Sequence, residues 1–298
     1  MTGILLVDKP EGMSSAGAIR ALKHRLDGAK VGHLGTLDPF ASGLLPLCIG
    51  EATKVARYLL LEEKAYEGRI RLGWETDTLD GTGTETGAAP VPAIDAGTLD
   101  RVRASFVGPQ RQTPPMYSAL KRDGVPLYKL ARRGVEVERE ARDITIHALE
   151  LRLVEPTAID FVVRCSKGTY VRVLAADLGR ALGTVAHLER LRRTAVGPFT
   201  IEQACTPEAL KNAPAGDWTL IPIAHALEGL RRMRLDGSGL AALRHGRQDV
   251  LRELPPGDDG EAALVLDDGG AVAAIVEMTP PPAGWRLVRL IMGTSLGA

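Results

Sequence analysis

The sequence predicts an α+β protein with a small β-rich unit at its C-terminal end. Three observations lead there. Strand-like runs with two-residue alternation are mixed with amphipathic helical runs, but without the regular βαβ rhythm of a doubly wound sheet. The texture changes near Pro222, after which short apolar runs alternate with tight-turn signals. The length of 298 residues, 45% hydrophobic and 25% charged, is enough for one large core or two smaller ones.

The elements follow in order. GILLVD (3–8) is short, apolar and stopped by KPEG, as a buried strand would be. In SSAGAIRALKHRL, Ser14 or Ser15 caps a helix whose Ile19, Leu22 and Leu26 share one face. Residues 51–61 form a second helix candidate, with Val55, Tyr58 and Leu59 inward. AYEGRIRLG (65–73) alternates as a strand, and 86–97 is a loop by its proline, glycine and alanine content. From Asp143 to Glu155 the alternation changes phase near 148–149, which predicts a β-bulge. Ile159, Phe161, Val163 and Cys165 alternate cleanly. A helix over 171–182 is closed by Gly183, and Thr206-Pro207 opens another. DDGG between two apolar pairs marks a hairpin within the β unit at 225–298.

Lysine plus arginine and aspartate plus glutamate both total 37, so the formal net charge is zero. The charge is nevertheless segregated. Residues 101–142 hold ten bases and four acids, and 164–193 hold seven and two. Residues 75–100 hold six acids and no base, and 251–298 hold seven acids and three bases. Such blocks allow one positive face on a neutral protein. The three cysteines, Cys48, Cys165 and Cys205, are too scattered for a metal site and read as reduced core thiols. MTGILLVDKP is no signal peptide, and no apolar run reaches the ~18 residues of a membrane span. A cytoplasmic protein without membrane contact is expected.

GHLGTLDPFASGLLPLCIG (32–50) sets one carboxylate, Asp38, among glycines and apolar residues. A charge there is costly unless something pairs with it or uses it. An isolated Leu-Asp-Pro would be a turn. Here it stands in a series: LLVDKPEGMSS (5–15), the stretch extended to Lys54, KAYEGRIRLGWETDTLD (64–80), PPMYSALKRDGVPLYKLAR (114–132), REARDITI (139–146), CSKGTYVRVLAADLG (165–179) and LRRTAVGPF (191–199). Taken together and in this order, they resemble the TruB family, bacterial pseudouridine synthases acting on uridine 55 of transfer RNA.

The resemblance implies a pseudouridine synthase catalytic fold over 1–222, with a mixed, largely antiparallel sheet and an RNA-gripping insertion at about 110–142. It implies a PUA-like RNA-binding domain over 225–298. It implies an isomerisation in which the N1–C1′ bond of uridine breaks, the uracil turns, and C5 joins the same C1′, with no cofactor and no metal. Hydrolysis of a sugar bond uses two carboxylates, whereas recapture of the leaving base can manage with one. Asp38 matches the catalytic aspartate, and Arg172 matches an arginine that pairs with it, expected as a bidentate fork. Tyr66 matches a tyrosine stacking on the uracil, Tyr170 a second pocket tyrosine and Leu191 an apolar wall. His33 is expected against the RNA loop, filling the space of the extruded base, and Asp80 near the flipped nucleotide. Lys9 and Pro10 are expected to pack beneath the catalytic loop. Lys121, Arg122, Arg132, Arg133, Arg192 and Arg193 are expected to contact RNA. The implied partner is the T stem-loop of transfer RNA, bound by a monomer with no obligatory protein partner. A non-catalytic RNA-folding chaperone is the alternative.

Overall fold

The computed structural model describes residues 1–26, 28–214, 217–280 and 284–291. Among them, nine strands form one sheet. Seven follow the order Gly3–Lys9, Ser42–Ile49, Ala186–Val196, Lys64–Leu72, Ala158–Cys165, Arg142–Glu155 and Gly108–Gln112. Neighbours along this path are antiparallel except Ser42–Ile49 with Ala186–Val196, which run parallel. The sheet is therefore mixed and largely antiparallel. The fold is α+β, as the sequence predicts.

Alternation decides which face is wet. Tyr66, Ile70 and Leu72 meet Ile159, Phe161 and Val163 and the buried side of helix Val171–Ala181. On the opposite face, Arg69 pairs with Asp160 at 2.6 Å and Arg71 with Glu189 at 2.8 Å. Strands Gly3–Lys9 and Ser42–Ile49 are covered on both sides. Leu5, Val7, Leu45 and Leu47 pack on helix Ser15–Leu22, and Ile4, Leu6, Leu44 and Cys48 pack toward the C-terminal unit. That unit is a four-stranded sheet of Arg231–Arg234, Ala262–Leu266, Val272–Thr279 and Gly284–Leu290, with helix Gly237–Arg244. Residues 292–298 of the expected β domain lie outside the described residues.

Local chemistry explains the expectations that hold. Ser14 accepts the Gly17 amide at 3.0 Å, and Thr206 accepts that of Ala209 at 3.1 Å before Pro207. The bulge falls between Ile146 and Ala148. Three expectations fail. Residues 51–61 are not one helix but a 3₁₀ turn, Gly50–Lys54, followed by the single turn Ala56–Leu59. Cys48 and Cys165 are buried, their thiols pushed up to about 12 and about 11 by burial, but Cys205 is exposed. Helix Ala96–Phe106 begins inside the expected loop, capped by Asp95. No helix among the described residues is long and apolar enough to cross a membrane.

Candidate active site

The loop between Val31–His33 and Ser42–Ile49 carries Asp38 and is held from beneath by buried polar groups. Ser15, at the start of its helix, donates to the Leu37 carbonyl at 3.0 Å and accepts the Leu37 amide at 2.9 Å. Lys9 is fully buried, and its ammonium donates to the carbonyls of Pro10 (2.8 Å), Met13 (2.7 Å) and Ala41. Burial, reinforced by the nearby Arg193, lowers its pKa to about 8, although Asp38 works the other way. The expected packing role of Lys9 is thus a hydrogen-bonding one. Gly43 has φ +107, and a Cβ there would lie 2.3 Å from the Arg193 carbonyl oxygen, so only glycine lets the two strands approach.

Asp38 meets Arg172 at the first turn of helix Val171–Ala181, with Nε 2.9 Å from Oδ2. Arg172 is 4% exposed and Asp38 38%, so the cation is walled in while the carboxylate looks out. The contact is not the expected bidentate fork. Nη1 donates to the Thr78 carbonyl at 2.7 Å and lies 3.7 Å from Asp80, and Nη2 donates to the Tyr117 carbonyl at 2.7 Å. One guanidinium therefore joins three chain segments at the carboxylate. Leu79, between Thr78 and Asp80, has φ 60, a strained setting for leucine that turns its neighbours toward Arg172.

A cavity of about 380 Å³ opens above this pair, lined among others by Asp38, Tyr66, Tyr170, Arg172, Leu191 and Arg193. Six of the predicted site residues thus share one cavity. Four cations, Lys64, Lys167, Arg172 and Arg193, line it with the single carboxylate of Asp38. Burial pushes the Tyr66 phenol upward, opposed by Arg193. The Tyr170 phenol is likewise raised by burial, opposed by Ser118. Gln112 clamps the Tyr170 backbone, accepting its amide at 2.7 Å and donating to its carbonyl at 3.1 Å.

The other predicted residues lie elsewhere. Asp80 is 4% exposed, lies outside the cavity lining and faces Arg172. Its carboxylate is taken up by the Thr82 amide at 3.0 Å and the hydroxyls of Thr78 and Thr82 at 2.9 and 2.6 Å. His33 is outside the cavity lining, at the end of its short strand, with its pKa lowered by burial and by Arg193. Lys121, Arg122 and Arg133 are exposed on the 113–141 insertion, and the Arg132 guanidinium sits 5.7 Å from the centre of the Tyr128 ring. The insertion is more folded than its composition suggests. Leu127 is buried, and Ser118, Ala119 and Leu120 line the cavity.

Arg192 and Arg193 do not share a groove. As neighbours on one strand they point to opposite faces. Arg192 pairs with Asp8 through both nitrogens at 3.1 and 2.8 Å, and lines a groove of about 530 Å³ on the far side of the sheet. Arg193 is turned inward and is 1% exposed. The sequence reading missed Lys64, Gln112, Ser118 and the hydroxyl of Ser15 as site residues. A lysine, a glutamine and two serines gave no motif on their own.

The fold and cavity define a class. The structure matches that of a Cbf5–Nop10–Gar1 complex with TM-score 0.75 and 25% identity, covering 97% of this chain and 85% of that one. It also matches an H/ACA ribonucleoprotein bound to a substrate RNA containing 2′-deoxyuridine, with TM-score 0.72 and 22% identity over 98% of this chain and 85% of that one. Residues 23–171 match the N-terminal domain of TruB family pseudouridylate synthases, and 172–219 match the C-terminal domain of tRNA pseudouridylate synthase B. The tRNA pseudouridine synthase B of Aromatoleum aromaticum is 50% identical over 247 residues, 82% of this chain and 80% of that protein. That of Azoarcus sp. is 46% identical over 92% of this chain and 90% of that protein. The chain belongs to the TruB family of pseudouridylate synthases.

Proposed function

We propose that this chain converts uridine 55 in the T-loop of transfer RNA to pseudouridine. The observation that carries the reading is the Asp38–Arg172 pair, a half-exposed carboxylate held at 2.9 Å by a buried guanidinium at the floor of a cavity. The target uridine leaves its stack, at a cost of a few kcal/mol, and enters the cavity. Asp38 then meets the ribose, the only acid the cavity lining offers. Tyr66 stacks on the uracil and Leu191 closes the apolar side, so the freed base can turn without leaving. The N1–C1′ bond breaks and the C5–C1′ bond forms. C5 loses its proton and N1 gains one, so the atoms balance without water or cofactor. Positive charge around the cavity suits the negative charge that passes through the detached base.

In this reading the exposed bases of the insertion hold phosphates of the T-arm, and the C-terminal β unit at 225–298 is a second RNA contact. The chain acts in the cytoplasm as a monomer without an obligatory protein partner. The test is incubation of the purified protein, alone, with an unmodified transfer RNA transcript, followed by mapping of pseudouridine. Product at the T-loop uridine is expected. A transcript left unmodified, or modified elsewhere, overturns the assignment.

A further inference from the structure

Among the described residues, the bulkiest fully buried side chain is charged: Arg193. Burying a guanidinium is costly unless its donors are used. Here Nε donates to the Leu44 carbonyl at 2.7 Å and Nη2 to the Gly35 carbonyl at 3.2 Å. Those two carbonyls stand at the two ends of the loop that carries Asp38. The same side chain stands beside Tyr66, its cross-strand partner on the neighbouring strand, and both line the cavity. These partners are neutral, so the charge is left undiminished beneath the cavity. It is felt by Lys9, Lys64 and His33, each made harder to protonate by it.

We propose that Arg193 is a positioning residue for the isomerisation. It spans the Asp38 loop and stands against Tyr66 on the adjoining strand, and so sets the carboxylate and the stacking ring at a fixed separation across the base. This rests on the functional reading above. It replaces the phosphate contact that the sequence suggests for Arg193, because a side chain 1% exposed cannot reach a backbone phosphate. The loop is pinned by a cation rather than an apolar plug because its ends present carbonyl oxygens, and a forked donor satisfies both. Lysine in its place has the charge without the fork, and methionine has neither.

Lys64, Lys167, Tyr170 and Arg172 share the cavity lining with Tyr66; the groups that act most on its phenol are Arg193 from strand Ala186–Val196, Cys165 from strand Ala158–Cys165, and Asp38 from the loop. Of these, only Arg193 favours the ionised phenol. Removing it therefore moves the Tyr66 ionisation upward, a change that loosened packing alone does not produce. The experiment labels the chain with 3-fluorotyrosine, which brings phenol titration into the range where the protein stays folded. The Tyr66 resonance is assigned by its loss in Tyr66→Phe, and fluorine NMR follows its titration in the wild type, Arg193→Lys and Arg193→Met. In Arg193→Met the midpoint is expected to rise by about one pH unit or more, and in Arg193→Lys by less. Single-turnover conversion of a T-arm hairpin transcript is expected to fall ~100-fold in Arg193→Met and ~10-fold in Arg193→Lys, with affinity for the hairpin kept within ~3-fold.

A midpoint unmoved in a folded variant overturns the link to Tyr66. A loss of affinity as large as the loss of rate overturns the positioning role and returns Arg193 to RNA contact. If Arg193→Met does not fold, Arg193→Lys decides both questions, since it too breaks the fork. Absence of product from the wild type would sink the functional reading, while the fluorine titration would still decide the link between Arg193 and Tyr66.

Discussion

Two loops meet at the cavity, and they are held in opposite ways. The Asp38 loop is fixed by buried side chains acting on its backbone: Ser15 on Leu37, Lys9 on Ala41, and Arg193 on Gly35 and Leu44. The 113–141 insertion rests on few attachments. The Tyr117 carbonyl accepts from Arg172 and the Tyr117 hydroxyl donates to Asp77 at 3.0 Å, while Arg122 ties the insertion only to itself, donating to the Glu138 carbonyl at 2.9 Å. Lys121, Arg122, Lys129, Arg132 and Arg133 face water. The difference teaches where precision is invested. In the proposed reaction the group that does chemistry is set before substrate arrives, because a displaced carboxylate costs rate steeply. The group proposed to grip RNA is left adjustable, because phosphate contacts tolerate small displacements.

The strongest way to break this comparison is through the fixed loop. Asp38→Asn keeps the shape and removes the charge, and is expected to lower single-turnover conversion by at least ~10³-fold. Binding of the T-arm hairpin should stay within about twofold, measured by filter retention, because Asp38 holds no phosphate. A protein that loses both together would show the loop to be part of the grip. Arg172→Lys comes next. Lysine cannot serve Asp38, the Thr78 carbonyl and the Tyr117 carbonyl together, and a buried acceptor left unpaired costs about 1–3 kcal/mol. A loss of roughly 10–100-fold in conversion is expected in a folded protein. Wild-type activity in Arg172→Lys would mean that the ion pair is ornamental.

The sequence made one of these loops far more legible than the other. Asp38, Tyr66, Tyr170, Arg172 and Leu191 converge as the motifs suggest, because each is a rare residue type in a distinctive string. The scaffolding was less visible. Strand Ser42–Ile49 has Pro46 in its middle, and buried on both faces it shows no alternation. Strand Ala186–Val196 buries an arginine between two half-buried neighbours and carries two register shifts, so its period is broken. Asp80 read as a substrate contact because sequence shows proximity to a motif but not which side of Arg172 a side chain occupies. Arg193 read as an RNA-facing charge for the same reason. Burial of lysine or arginine depends on backbone carbonyls brought in from distant segments, which no local pattern encodes.

A gentler test goes through the insertion. Reversing two exposed charges, Lys121→Glu with Arg133→Glu, is expected to weaken hairpin binding about 10-fold at low salt and to flatten the salt dependence by a slope of about one to two. Conversion of saturated enzyme should change little. A large fall in the saturated rate with affinity kept would show that the insertion shapes the chemical step no less than the Asp38 loop does.

The buried cations make a pH prediction that belongs to the fixed side alone. The pKa of Lys64 is lowered from 10.5 to about 8 by burial, with Arg193 adding to the effect. Between those values the unfolded chain holds a proton that the folded chain has released, so this residue adds stability as pH rises through the window. The advantage of the wild type over Lys64→Met in urea denaturation should therefore grow from about pH 7.5 to about pH 10. A constant difference would mean that Lys64 is not desolvated as its position implies.

The smallest effect tests the comparison from outside. Arg192 adjoins Arg193 and lies in a basic string, so the sequence reading placed it on the RNA. The structure ties it to Asp8 through two nitrogens, on the sheet face away from the cavity. An exposed pair of this kind contributes at most about 1 kcal/mol. Arg192→Ala should therefore leave hairpin affinity, salt slope and conversion within about twofold of the wild type. If affinity instead falls and the salt slope drops by about one, Arg192 holds a phosphate, and the bound RNA must wrap past the edge of the sheet to reach it.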